Sequence, residues 1–209
     1  MIKVFFLIFE PGVAWGKIAQ ARRGLVFITG IHLLPLILLG SALETWGLLR
    51  HGKWQPKFQM FKVFPEQDIY NYEIIQFFLL LAVVFVSALL VFKISQTFQD
   101  RLRFLQAFTT VAYGFSPMFL VRFLDASATM HPLVTWLIGV ALTMWILYQG
   151  IPRVMQPDPT HAFGVYLSAT IVVVLTSGLA RLITGMYLLG YIDFRHSWLS
   201  NKITHLLGQ

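Results

Sequence analysis

Long apolar stretches recur along the chain, separated by shorter segments that carry most of the charged residues. Each stretch is close to the roughly 20 residues that a helix needs to cross about 30 Å of hydrocarbon. The pattern predicts an all-α membrane protein, a polytopic helical bundle with five transmembrane helices. Their predicted positions are residues 24–43, 74–94, 104–124, 132–151 and, for a segment that can exceed the thickness of the bilayer, 162–191.

The residues before the first span have the pattern of a helix that lies at the membrane interface. In "PGVAWGKIAQARR", residues 11–23, the side chains of Ala14, Trp15 and Ile18 share one helical stripe, and the basic side chains lie elsewhere. Pro11 suits the first position of a helix, where its missing N–H would be unpaired anyway. We therefore predict that Trp15 and Ile18 face lipid at head-group depth, on a helix roughly parallel to the membrane.

The long connection after the first span, residues 44–72, is rich in aromatic and basic side chains, which are typical of head-group depth. Within it, Phe58, Phe61 and Phe64 recur at helical spacing until Pro65 ends the pattern. A second helix lying on the membrane surface is predicted here.

The spans divide the chain into three parts: an N-terminal interfacial segment (1–23), a five-span domain (24–194) and a C-terminal tail (195–209). An odd number of spans places the two termini on opposite sides of the membrane. The 16 basic residues divide evenly between the two sides, so their number decides nothing. Arg22 and Arg23 adjoin the first span, which favours a cytoplasmic N-terminus.

Composition agrees with a membrane protein, because 57% of the residues are hydrophobic, 12% are charged and the mean hydropathy is +0.70. The net charge of +7 indicates contact with anionic lipid head groups rather than with nucleic acid, since the few charges lie between apolar spans. The absence of cysteine excludes disulfides, thiolate metal sites and cysteine nucleophiles.

No motif predicts a reaction. A Walker-type loop, a nucleophile elbow and a paired-carboxylate motif are all missing from the sequence. None of the six histidines forms a helical zinc pair, and the lone His32 in the first span is interpreted as an interhelical hydrogen-bond donor. We therefore expect no enzymatic activity, no metal and no cofactor.

The third span contains a helix breaker in "AYGFSP", residues 112–117. Pro117 cannot donate a hydrogen bond to the carbonyl of Tyr113, and Gly114 lets a neighbouring backbone approach closely. A bend is predicted. It serves helix packing, or it turns the Tyr113 carbonyl towards an internal cavity or ligand.

Three features together resemble the Yip1-domain family. They are "EPGVAWGKI" with Pro11 and Trp15 before the first span, five spans in 209 residues, and the "AYGFSP" stretch with Tyr113, Gly114 and Pro117. The resemblance implies a five-span membrane protein. Eukaryotic members of the family lie in early secretory membranes and are associated with Rab-type GTPases and vesicle formation.

Two departures from those eukaryotic members affect the expected partners. The long hydrophilic N-terminal region is missing, and "EPGVAW" stands where those members have an Asp-Leu-Tyr-Gly-Pro stretch. GTPase binding is therefore doubtful. The short form is similar to the compact prokaryotic branch of the family, which implies a protein of the cell inner membrane without an established reaction.

Charged residues at the ends of the odd-numbered spans predict an intramembrane polar cluster. These spans run in one direction, so their C-terminal ends, with Glu44, Arg122, Asp125 and Arg181, lie towards one face. Arg122 and Asp125 stand three residues apart and could pair with each other. An unpaired Arg181 at depth would cost at least about 2.5 kcal/mol, so we predict that Asp125 or Glu44 pairs with it. The cluster would lock the bundle or line a small site.

The leading functional hypothesis is a non-enzymatic scaffold or adaptor that organises membrane partners or membrane shape. Its expected partners are the lipid bilayer and either other membrane proteins or further copies of this chain. The alternative is a small transporter or channel with a polar site between spans three and five. A stripe along the fifth span motivates that alternative: Thr170, Ser177, Arg181 and Thr184. A lipid-modifying enzyme is a third hypothesis and would need a carboxylate or histidine cluster at the interface.

Overall fold

A computed structural model describes residues 2–55, 58–97, 102–189 and 191, and the predicted tail at 195–209 lies outside them. Five of its helices are long and apolar enough to cross a bilayer, which confirms the predicted fold class. Span one is Leu25–His51, span two Glu66–Gln96, span three Phe104–Ala126, span four Pro132–Val154 and span five Ala162–Leu188.

Spans one and two are both longer than predicted. Span one continues beyond residue 43 to His51, and span two begins at Glu66 rather than at residue 74. Charged residues near these ends suggested that the helices stop earlier. They do not stop, because Glu44 is buried against cationic and polar partners inside the bundle, as described below.

Span three is the most buried of the five spans. Spans one, two and four each contact it, and span five packs against spans two and four. The outward faces of the bundle are apolar, as at Phe78 and Leu175, which suits contact with lipid.

Span three is not one continuous helix. An α-helix over Phe104–Gly114 is followed by a second over Ser116–Val121, and a 3₁₀ helix over Arg122–Ala126 completes the span. Phe115 separates the first two segments, and Pro117 lies in the first turn of the second, where its missing N–H costs least. The helix is therefore interrupted next to Pro117, where the sequence predicts a bend.

The irregular part of span one faces this break. Span one consists of Leu25–Phe27, a π-helical stretch at Ile28–Leu33, and the α-helix Leu34–His51. His32, within the π-helical stretch, lies with its Nε2 2.8 Å from Ser116 Oγ. This contact is the interhelical hydrogen bond expected for His32, and it joins two spans where both depart from α-helical geometry.

The predicted surface helix at Phe58–Phe64 is wrong, because this segment contains a β-hairpin. Strand β1, Lys53–Gln55, pairs antiparallel with strand β2, Met60–Lys62. Gly52 ends span one with φ +63°, a left-handed conformation that favours glycine. Alternation along β1 then buries Lys53 and Gln55 and turns Trp54 outwards, so turn geometry outweighs the helical spacing of the phenylalanines.

Two short helices, α1 (Ile2–Phe9) and α2 (Pro11–Ala21), precede span one. Pro11 begins α2 as predicted, but the predicted lipid exposure of Trp15 and Ile18 is wrong. Both side chains are buried, and the Trp15 Nε1 donates a hydrogen bond to the Ile146 carbonyl of span four at 3.1 Å. Gly150 leaves the space for the indole, because a Cβ there would overlap the ring. The apolar stripe of α2 therefore packs on protein.

Replacing Trp15 by Phe should lower the free energy of unfolding by about 1–3 kcal/mol, since it removes a buried hydrogen bond and leaves a gap beside Gly150. Thermal unfolding of the purified chain in detergent measures this loss. Trp145→Phe is the matched control. Trp145 lies on span four, as does Ile146, but its side chain is 54% exposed. Equal stability of the two variants would contradict the docking of α2.

A buried charge cluster as the candidate functional site

Six charged side chains meet inside the bundle at the end where spans one, three and five finish. All are buried, and they come from spans one, two, three and five and from the hairpin. We call this set the charge cluster: Glu44, Lys53, Glu73, Arg122, Asp125 and Arg181. It holds three acids and three bases, so its formal charges balance.

Arg122 links spans one, two and three. Its Nη2 donates a hydrogen bond to Glu44 Oε2 and lies 3.4 Å from Glu73 Oε2. Glu44 also accepts hydrogen bonds from Tyr72 Oη at 3.1 Å and from Gln76 Nε2 at 2.9 Å, both on span two. With three donors, the Glu44 carboxylate is satisfied without water, as burial requires.

Arg181 of span five reaches Asp125 of span three. Its Nη2 lies 2.6 Å from both Asp125 carboxylate oxygens, and its Nε donates to the Pro132 carbonyl at 3.0 Å. The sequence-predicted contact between Arg181 and Asp125 is therefore present. Within the described residues, Arg122 and Asp125 do not form an ion pair with each other. Arg122 turns towards spans one and two, and Asp125 towards span five.

Lys53 closes the cluster from the hairpin side. Although only 1% exposed, it donates through Nζ to the carbonyls of Asp125 at 2.9 Å and Ser127 at 2.8 Å. Burial lowers the pKa of Lys53, and the nearby charges of Asp125 and Glu44 oppose that shift. The hairpin is therefore fastened to the 3₁₀ end of span three.

The sequence did not indicate that Lys53 and Glu73 belong to the charge cluster. Lys53 follows a span and precedes a tryptophan, a pattern typical of side chains that extend to the head groups. In a β-strand, Lys53 and Trp54 must point to opposite sides, so an exposed Trp54 implies a buried Lys53. This inference is possible only once the hairpin is recognised.

A small cavity adjoins the charge cluster between spans two, three, four and five. Its volume is about 50 Å³, and Gln76, Arg122, Thr135 and Arg181 contribute to its wall. Within the part of the chain that the structure describes, Arg122 Nε and Nη1, Gln76 Oε1 and Thr135 Oγ1 have no hydrogen-bond partner. The volume has room for a few water molecules, each needing about 10–15 Å³, and these would satisfy such groups.

The small and hydroxyl residues of spans four and five serve close packing. A Cβ on Gly139 would lie 3.2 Å from the Met118 Cα, so spans three and four touch closely there. Ser177 and Thr184 are buried, and their hydroxyls donate to Val173 and Ala180 in their own helix. Ser177, Arg181 and Thr184 of this stripe also line the small cavity beside the charge cluster.

The family-motif residues form a separate group away from the charge cluster. The rings of Trp15 and Tyr113 meet edge to face at 6.3 Å, and His32 lies 4.0 Å from Tyr113 between ring centroids. Gly114 permits contact with Leu147, since a Cβ would lie 2.6 Å from its Cδ2. The motif thus holds α2 and spans one, three and four together.

Within the described ranges, no group of three or more histidine, aspartate or glutamate side chains could hold a metal ion.

Comparison with known proteins identifies the family of the chain. No curated protein and no solved structure matches the chain. A family model described as the Yip1 domain matches residues 5–182, which include both family-motif stretches and nearly all of the five spans. The chain therefore belongs to the Yip1 family of helical membrane proteins.

Proposed function

We propose that this Yip1-family protein is a non-enzymatic scaffold or adaptor, located in a prokaryotic inner membrane with its N-terminus in the cytoplasm. It would organise partner proteins or membrane shape rather than move or convert a substrate. The observation that carries the proposal is the charge cluster, because its ion pairs join four of the five spans and Lys53 binds the hairpin to backbone carbonyls at the end of span three.

The energetics of the charge cluster favour a fixed body over a transport route. Separating Arg181 from Asp125, or Arg122 from Glu44, would leave an uncompensated buried charge at a cost of about 3–5 kcal/mol. A transport cycle that separates these spans would have to break and remake such contacts. A rigid bundle with apolar outer faces is suited instead to holding neighbours in lipid.

Affinity purification after cross-linking in native membranes tests the scaffold role. We expect a reproducible protein partner, or a second copy of this chain, that is enriched over an unrelated five-span protein expressed at the same level. The purified chain should also change the diameter of liposomes if it shapes the membrane. Recovery of no partner together with unchanged liposomes would refute the proposal.

A small transporter or channel is the second candidate, and the unpaired Arg122 donors beside the 50 Å³ cavity favour it. Flux of small anions into proteoliposomes distinguishes it from a scaffold. Under the scaffold proposal the flux should equal that of protein-free liposomes. If flux is present and Thr135→Leu, which fills the cavity wall, abolishes it, the transporter replaces the scaffold as the function.

A further inference from the structure

A second and larger cavity lies at the opposite end of the bundle from the charge cluster. Its volume is about 510 Å³, within the range of roughly 300–1,000 Å³ that is usual for ligand sites. Among the residues that the structure describes, four arginines line it, and no acidic side chain does. We call it the basic cavity, after Arg22, Arg23, Arg103 and Arg153.

The four arginines come from helix ends that meet at one membrane face. Arg22 and Arg23 lie between α2 and the start of span one, Arg103 directly precedes span three, and Arg153 is in the last turn of span four. Spans one and three begin at the face where span four ends. The basic cavity therefore lies at the depth of the lipid head groups on that face.

Within the part of the chain that the structure describes, no acidic side chain compensates the charges of the basic cavity. None of its arginines takes part in an ion pair within the described ranges, whereas the charge cluster contains equal numbers of acids and bases. Arg153 is oriented by hydrogen bonds from Nη1 to the Gln149 carbonyl at 2.7 Å and to its Oε1 at 2.9 Å. Guanidinium groups placed in this way suit a phosphate, which can accept two parallel hydrogen bonds from each.

The remaining wall combines apolar and polar surface. Ile18, Leu105 and Val154 supply apolar contacts, and Tyr113 also lines the cavity. Tyr113 is 1% exposed, and its hydroxyl has no hydrogen-bond partner in the described part of the chain. A buried hydroxyl of this kind is rarely left unpaired, so a water molecule or another polar group belongs beside it.

We propose that the basic cavity binds the phosphate of an anionic phospholipid, with the glycerol end of the lipid against Ile18 and Leu105. The inference concerns a different site from the charge cluster and holds whether the protein is a scaffold or a transporter. A lipid fits better than a soluble phosphate compound because the cavity combines head-group depth with apolar wall.

The test measures lipid binding to the purified full-length chain in a neutral detergent by native mass spectrometry. Phosphatidylglycerol and phosphatidylcholine are compared for the wild type and for the double variant Arg22→Gln/Arg103→Gln. The matched control is Arg50→Gln/Lys62→Gln, which also removes two positive charges, but from the other end of the bundle. We expect the cavity variant to bind phosphatidylglycerol about tenfold or more weakly, and the control to change less than about twofold.

Three results would overturn the proposal: equal losses in the two variants, equal binding of the two lipids, or no loss in the cavity variant. Millimolar glycerol 3-phosphate or inorganic phosphate is added as a competitor. Displacement of the lipid by either would assign the cavity to a soluble phosphate compound instead. Arg22 and Arg103 are exposed, so thermal unfolding without lipid should match the wild type and show that the variant folds.

Discussion

Arg181→Met should lower the free energy of unfolding by about 3–5 kcal/mol, because it leaves the buried Asp125 carboxylate without its guanidinium partner. Methionine keeps much of the aliphatic stem, so loss of packing contributes little. Thermal unfolding in detergent measures the change. Under the alternative that the charge cluster lines a ligand site, the variant would retain its stability and mainly alter binding or flux.

The double variant Arg181→Met/Asp125→Leu is the control for this effect. It removes both charges together, so most of the lost stability should return, whereas independent effects would add. Arg181→Lys keeps the charge but loses the hydrogen bond from Nε to the Pro132 carbonyl, and should fall between the wild type and Arg181→Met. A double variant as unstable as the sum of its single variants would contradict a locking ion pair.

Gly47→Ala should lower the free energy of unfolding by about 1–3 kcal/mol through overpacking. A Cβ at Gly47 would lie 2.5 Å from the Ala126 carbonyl oxygen and 2.6 Å from its Cβ. Two of the three nearest atoms belong to the Ala126 backbone, which cannot rotate away as a side chain can. Span one must therefore move away from the 3₁₀ end of span three. That movement would also strain the contact between Glu44, one turn earlier, and Arg122.

Gly16→Ala is the matched control for Gly47→Ala. Gly16 lies within α2, and a Cβ there would meet nothing within 4 Å. Alanine favours a helix by roughly 0.5–1 kcal/mol over glycine, so this variant should be as stable as the wild type or more stable. If both variants unfolded at the same temperature, close contact between spans one and three would be excluded.

The existence of five spans and the contact between Arg181 and Asp125 could be predicted from the sequence for physical reasons. Apolar length sets the number of crossings, and the parity of the spans then places both residues towards one face. Desolvation requires a buried arginine to find a partner, and only a few carboxylates were available there. These arguments need no knowledge of side-chain packing.

Features that depend on packing could not be predicted in the same way. An amphipathic stripe such as that of Trp15 and Ile18 indicates an apolar surrounding, but lipid and protein are equally apolar, and only Gly150 provides the space that decides between them. The hairpin depended on the positive φ of Gly52. The basic cavity joins arginines that are far apart in sequence, so no local pattern could indicate it.

Phe115 divides span three into two helical parts, and each part is held by different contacts. The later piece, from Ser116 onwards, is tied by ion pairs to spans one, two and five. The earlier piece, Phe104–Gly114, is held largely by apolar contacts and contributes Tyr113 to the basic cavity. The two functions of span three are therefore divided at Phe115: one part carries the ion pairs at one membrane face, and the other lines the basic cavity at the opposite face.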